Sequence, residues 1–322
     1  MMRLFIICHP DNFKTLAKVP MNASISTLID HIQLPDDANT QRLFHGRGHA
    51  YEGLEHICVD WFAPVVLVTL YREVEHESLL ALARSLNEKI GACQSVLVQH
   101  RWQQMAPIEC LVGDDIRQLH ALESGLKYHI EFGRAQNHGL FLDMKNGRDW
   151  VQANANGKNV LNLFSYTCAF SVAASQGGAK QVVNIDMSKP SLARGRDNHR
   201  LNEQATDNII FQAVDIFKSF GRLKKFGPYQ MLIVDPPSFQ KGSVNIERDY
   251  GKIIRRIPQL ASPNADVMLC LNSPDLDDEF LLATVKQECS ALHFVDKIAP
   301  PAVFKEAHQG KGLKVMLFRY EP

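Results

Sequence analysis

Residues 159–186 read "NVLNLFSYTCAFSVAASQGGAKQVVNID", and their pattern decides the fold class. "NVLNLF" (159–164) is an apolar run of strand length. "AFSVAASQGG" has helical spacing and closes on Gly177 and Gly178, and "QVVNID" (181–186) is a second strand. Two strands joined through a helix imply a right-handed crossover and a parallel pair with its helix packed on one face.

The same alternation continues toward the C-terminus. A helix through "KPSLARGRDNHRLNE" carries Pro190 in its first turn, and "NIIFQA" (208–213) is a strand. A helix over 215–225, the strand "YQMLIVD" (229–235), a helix over about 248–261, the strand "DVMLCLN" (266–272) and a helix over 276–290 come next. "LHFVDKI" (292–298) and "LKVMLFRY" (313–320) close the chain without an intervening helix, so one of them runs antiparallel. The expectation is an α/β fold: a Rossmann-like, seven-stranded, mostly parallel sheet whose last strand is antiparallel.

Before residue 145 the pattern changes. Short strands ("VVLVTLY", "SVLVQH", "LKYHIEF") mix with an amphipathic helix at 77–91. The expected division is a small α+β domain over 1–75, assigned to substrate recognition, a connecting α+β and hairpin region over 76–145, and the α/β domain over 146–322. "MMRLFIICHPD" reads as a first strand, because its apolar core is too short for a signal peptide.

Composition narrows the function. Hydrophobic content of 45% and charged content of 22% are those of an ordinary globular chain of 322 residues, and no apolar run has the length of a membrane helix. Seven scattered cysteines without a Cys-x-x-Cys pair point to a reducing cytoplasm. The formal net charge is zero, but residues 1–150 hold 14 Lys+Arg against 18 Asp+Glu, so the remainder is basic. Residues 218–256 hold nine basic side chains and three acidic ones on both sides of "LIVDPPSFQKG" (232–242). Such a run reads either as a solvated face or as a rim toward a polyanion.

In an open parallel sheet, ligands sit beyond the carboxyl ends of the strands. The loop "NLFSYTCAF" (162–170) lacks Gly-x-Gly-x-x-Gly, which argues against a pyrophosphate-bearing cofactor. Asp186 ends the second strand, placed to accept from a ribose diol. Asp215 follows the third, placed for an adenine amine, with Val214 or Ile216 against the ring. Each aspartate alone reads as a helix cap. As an ordered set they fit S-adenosylmethionine, whose sulfonium favours carboxylates over a phosphate cradle.

Four segments carry a family resemblance: "NHGLFLDMKNGRDWV" (137–151), "VLNLFSYTCAFSVAA" (160–174), "VVNIDMSKPSLARGRDNHRLN" (182–202) and "IVDPPSFQKG" (233–242). In order and spacing, across roughly 125–275, the chain resembles the class I methyltransferases that modify nucleobases of large-subunit ribosomal RNA, of the cytosine-carbon-5 and guanine-N7 types. The resemblance implies that Phe141 and Asp143 cover the cofactor from the linker side. Asn162, Phe164, Ser165 and Thr167 would form the first loop, and Asp186, Met187, Ser188, Asp215 and Ile216 would hold ribose and adenine. Asp235, Pro236 and Pro237 would line the methyl-transfer site, with Ser238 and Phe239 beside them and Asp235 also near the cofactor. The family usually has glycine where this chain has Cys168; if that position needs positive φ, a β-carbon there costs about 1 kcal/mol.

The acceptor atom follows from the cysteines. Cytosine carbon-5 becomes nucleophilic only after a cysteine adds to the ring. The resemblance puts Asn272 where that cysteine would stand, and Cys270 lies two residues earlier, about 7 Å back along the strand. The expected reaction is therefore direct in-line transfer to a nitrogen of an RNA base, with Asp235 accepting from an amine or ring N–H and Phe239 stacking on the ring. Two alternatives stand beside it: a protein glutamine-amide methyltransferase, and a relative that binds RNA or a partner without turnover. "RLFHGRGHAYEGLEH" (42–56) gathers His45, His49 and His56 without a ligand pattern, and no metal is expected there.

Overall fold

A computed structural model describes residues 22–35, 37–237, 239–240 and 244–322, with the backbone alone at 22–26, 239 and 240. The expected strand near the N-terminus and the side chains of Ser238 and Phe239 lie outside the described residues. The chain divides into two compact units, one holding 144–300 with 310–322 and the other holding the described residues up to Asp143 with 301–309.

The first unit opens with α1 (Asn22–His31), then β1 (Gln41–His45), β2 (Ile57–Phe62), β3 (Val65–Leu70), α2 (His76–Lys89), β4 (Ser95–His100) and β5 (Ile108–Gly113). These strands form one sheet in the order β1-β2-β3-β4-β5, so the boundary expected at residue 75 falls inside it. All of its neighbours pair antiparallel except β3 and β4, which α2 connects in parallel. Leu79, Leu82, Ala83 and Leu86 form the buried face of α2 at helical spacing and pack on Val66, Val68, Val96 and Val98. β6 (Gln118–Glu123) and β7 (Leu126–Glu131) make a separate hairpin.

The second unit runs α3 (Lys145–Asn154), β8 (Asn159–Leu163), α4 (Ala169–Gln176), β9 (Gln181–Asp186), α5 (Lys189–Leu201), β10 (Ile209–Ala213), α6 (Phe220–Leu223) and β11 (Tyr229–Val234). A two-residue pair, β12 (Phe239–Gln240) with β13 (Val244–Asn245), precedes α7 (Ile246–Ile254), β14 (Ala261–Leu271), α8 (Asp278–Glu288), β15 (Leu292–Ile298) and β16 (Lys314–Tyr320). The seven-stranded sheet has the order β10-β9-β8-β11-β14-β16-β15, and only β16 runs against its neighbours. The α/β expectation holds, including the antiparallel last strand. Alternate residues of the central strands feed two cores. Leu161, Leu163, Val183 and Val234 pack toward α7 and α8, while Val160, Val182, Met231 and Ile233 pack toward α3 and α4.

Two elements differ from expectation. The helix expected over 215–225 is three short pieces, because Asp215 caps a 3-10 turn at Ile216–Lys218 and a second such turn, Lys224–Phe226, follows α6. Tyr229 Oη donates to the Leu223 carbonyl at 2.8 Å, occupying an acceptor that a continuing helix would use. The helix expected to end near 261 stops at Ile254. β14 begins at Ala261 with an irregular start that contains Pro263 and Asn264, the latter at φ 62°, before regular pairing sets in at Asp266.

The turn from β8 into α4 places the site and has unusual backbone. Phe164, Tyr166 and Cys168 have φ of 59°, 47° and 61°, alternating with ordinary residues. Cys168 is thus the left-handed residue directly before α4, at a position where the β-carbon is strained. α5 clamps this turn. Asn198 Nδ2 donates to the Thr167 carbonyl at 3.0 Å, and Gly195 makes room for the cysteine. A β-carbon on Gly195 would lie 2.8 Å from Cys168 Cβ and nearer still to its Sγ. Beneath the turn runs a buried polar chain. Asn162 Nδ2 donates to Asn184 Oδ1 (2.9 Å), Asn184 Nδ2 to Ser171 Oγ (2.9 Å), Ser171 pairs with His199 Nε2 (2.9 Å), and His199 Nδ1 meets Gln204 Oε1 (2.7 Å). Burial pushes the His199 pKa down to about 4, so the ring is neutral there.

Gly195→Ala should cost about 1–3 kcal/mol by overpacking against Cys168. In Cys168→Gly/Gly195→Ala most of that loss should return, and denaturant unfolding of the four variants gives the coupling; additive losses would mean that the two side chains are independent. For His199, the unfolded chain takes up a proton below about pH 6.5 that the folded ring refuses until near pH 4. Its stabilising contribution is complete above pH 6.5 and is lost as pH falls through that window. Between pH 7.5 and pH 5.0 wild type should therefore lose about 2 kcal/mol more than His199→Gln.

Candidate cofactor and methyl-transfer site

Strand order reverses between β8 and β11, the switch point at which an open α/β sheet binds ligands. Leu163 is level with Ile185 on one side and Val234 on the other, and Ala213 is level with Asp186. The register therefore brings the 164–168 turn, Asp186, Asp215 and Asp235 to one edge of the sheet.

Asp186 is already at work there. Its Oδ2 accepts from the Tyr166 amide at 2.9 Å and its Oδ1 from the Ser188 amide at 2.8 Å, tying the first loop to the end of β9. Ser165 N–H donates to the Ile185 carbonyl at 3.0 Å, completing the tie. Burial raises the Asp186 pKa from the ordinary carboxylate value, and the Ser188, Tyr166 and Met187 amides pull it back. Each oxygen keeps further acceptor capacity for a ribose hydroxyl. Ser165 is buried in the first loop, its side chain beside the Cys168 thiol.

Other expected residues have different surroundings. Asn162 is 1% exposed, and its amide joins the interior chain beneath the loop. Thr167 is buried, its carbonyl held by Asn198, while Phe164 and Met187 are half-buried. Ser188 is the N-cap of α5, its Oγ accepting from the Ser191 amide. Asp215 caps its own turn through the Phe217 amide at 2.9 Å, with Lys218 Nζ at 3.5 Å. Ile216 is buried in the core on the α7 side, leaving Val214 the more exposed apolar neighbour. Phe141 and Asp143 belong to the first unit.

At the second edge of the switch point, Asp235 is half-buried, Pro236 buried and Pro237 half-buried. Two residues that the sequence reading passed over hold this corner. Tyr250 of α7 donates its hydroxyl to the Cys270 carbonyl (2.8 Å) and the Val234 carbonyl (3.4 Å), bridging the ends of β14 and β11. Burial, with Cys270 and Asp235 nearby, raises the Tyr250 pKa well above its ordinary value, so the hydroxyl stays a donor. Lys314, buried at the start of β16, donates to the Ser273 carbonyl at 2.6 Å and fixes the turn after β14. A lone lysine opening an apolar strand, "LKVMLFRY", was the visible sign of it. Asn272 is exposed just past β14, whereas Cys270 is fully buried on the strand.

Of the histidines of 42–56, His45 and His56 take arginine partners. Arg42 reaches His45 Nδ1 at 2.7 Å while its guanidinium forks onto Asp60 at 2.7 and 3.0 Å, and Arg72 reaches His56 Nδ1 at 3.2 Å. Burial, then Arg42 and Arg47, lowers His45 to about 3, and burial, then Arg72, lowers His56 to about 4. No helix among the described residues is long and apolar enough to cross a membrane.

Comparison with known proteins agrees with this architecture. A Bacillus subtilis (strain 168) protein, YwbD, named as a candidate ribosomal RNA large subunit methyltransferase, is 25% identical over 302 residues, covering 88% of this chain and 75% of its own. Ribosomal RNA large subunit methyltransferase I of Photobacterium profundum is 28% identical over 73% of this chain and 61% of its own. Methyltransferase K/L of Shewanella sp. (strain MR-4) is 33% identical over 48% of this chain, a match spanning 23% of that longer protein. A crystal structure of SMU.776, described as a candidate methyltransferase complexed with SAH, shares the fold. Its TM-score is 0.82 at 24% identity, covering 92% of this chain and 81% of its own. The family model for S-adenosylmethionine-dependent methyltransferases matches residues 41–319, and the chain belongs to that family.

Proposed function

We propose that this enzyme transfers the methyl group of S-adenosylmethionine to a nitrogen of a nucleobase in ribosomal RNA, in the cytoplasm. One observation carries the choice of nitrogen: beside Asp235-Pro236-Pro237 the position past β14 is Asn272, and the nearby cysteine, Cys270, is buried within the strand. Carbon-5 chemistry needs a thiolate that can add to the ring. Nitrogen needs only orientation, because its lone pair attacks the methyl in line while the bonding pair leaves with sulfur.

On this reading Asp186 accepts from the ribose diol and Ser165 supplies a further polar contact. Asp215, with Met187 and Val214, borders the adenine. Asp235 accepts from the base's amine or ring N–H, and the two prolines stiffen the backbone behind it. The names of the relatives support large-subunit ribosomal RNA as the substrate, and the sheet of the first unit serves to recognise it.

Tritium transfer from labelled S-adenosylmethionine tests the substrate. RNA from a strain lacking the gene should accept label and wild-type RNA should not, so equal labelling of both would remove the RNA reading. Asp235→Ala should cut transfer at least about a hundredfold while S-adenosylhomocysteine affinity stays within a few-fold, since its interaction is made with the acceptor. Asp186→Ala should do the reverse. It loses the ribose acceptor and releases the Tyr166 and Ser188 amides, so calorimetric affinity should fall by about tenfold or more.

A further inference from the structure

In the first unit, β1, β3 and β4 run in the same direction, so their carboxyl ends share one edge of the sheet. Each deposits an arginine there: Arg47 in the turn Gly46–Gly48 after β1, Arg72 two residues past β3, and Arg101 directly after β4. The Arg47 turn is tightly seated, because a β-carbon on Gly46 would strike the Leu54 carbonyl and one on Gly48 the Lys305 carbonyl.

Two of the arginines gather around one aromatic ring, and the third leans on a histidine. The Arg47 guanidinium lies 4.6 Å from the Tyr71 ring centroid and that of Arg101 lies 5.6 Å from it. Arg101 also donates to Tyr71 Oη (3.2 Å) and Asn137 Oδ1 (3.0 Å). Arg72 leans on His56, which is neutral and accepts at 3.2 Å. Among the described residues none of the three forms an ion pair with a carboxylate, in contrast to Arg42, whose charge Asp60 neutralises. Trp102 is 39% exposed and Met105 79% exposed in the adjoining turn.

We infer that this edge, formed by Arg47, Tyr71, Arg72, Arg101 and Trp102, binds the phosphate backbone and an unstacked base of single-stranded RNA. A guanidinium stacked on an aromatic ring keeps its N–H edge for a phosphate. Three arginines delivered to one sheet edge, with no carboxylate ion pair among the described residues, favour a polyanion, and an exposed indole in the adjoining turn offers a base its flat face. The inference rests on the RNA reading above, and it adds a second contact region on a different unit from the methyl-transfer edge.

Fluorescence anisotropy of the full chain with a fluorescein-labelled single-stranded RNA, across a potassium chloride series, tests it. Arg47→Gln/Arg72→Gln/Arg101→Gln should bind about tenfold or more weakly, and the slope of log affinity against log salt should shrink by about 2–3. Arg47→Gln, at an exposed position, should shrink the slope by about 1. Trp102→Ala should weaken binding with the slope unchanged. S-adenosylhomocysteine binding should be the same in all of them. Wild-type affinity and slope in the triple variant would overturn this surface and leave the RNA substrate standing; no RNA binding by wild type would overturn both. If the triple variant unfolds, Arg47→Gln decides, and an unchanged slope there sinks the inference.

Discussion

The Asp186 carboxylate accepts the Tyr166 and Ser188 amides, and through that pair the first loop, β9 and the start of α5 become one rigid corner. A turn containing three left-handed residues has few amides pointing where a helix or sheet could use them, so a side chain has to take them up. Asp186 does this from the end of the neighbouring strand. It is therefore a structural anchor and the proposed ribose acceptor at once, and the reading of it as a plain helix cap is displaced, since Ser188 caps α5.

The same corner accommodates a strained residue. Cys168 occupies a left-handed position, and Gly195 on the facing helix leaves the space its side chain fills. The thiol is buried and desolvation raises its pKa, which disfavours the thiolate. Strain of about 1 kcal/mol at one residue is tolerable when the surrounding contacts over-determine it. The buried Asn162-to-Gln204 chain and the Asn198 bond to Thr167 are such contacts.

Charge is divided between the two units in a way that totals conceal. Residues 1–150 are net acidic, yet three arginines with no carboxylate ion pair among the described residues stand at one edge of the first sheet. Sequence distance hid them, because Arg47, Arg72 and Arg101 are separated by whole strands and a helix. His45 and His56, close in sequence, instead separate onto Arg42 and Arg72. Composition counts charges; strand direction decides which of them meet.

By itself the sequence determined the sheet of the second unit, because strand and helix periodicities differ and their alternation leaves essentially one parallel topology. It also placed Asp186, Asp215 and Asp235 at strand ends along one edge of that sheet. Helix boundaries at 215–225 and 248–261 were not legible, because a tyrosine hydroxyl, a cap and an irregular strand start ended elements that propensity alone would extend. The interior role of Asn162, the clamp on Cys168, and the anchoring by Tyr250 and Lys314 belonged to tertiary structure alone. Each depends on a partner from a distant element, and no local pattern records which carbonyl or methylene a side chain will meet once the sheet is closed over by its helices.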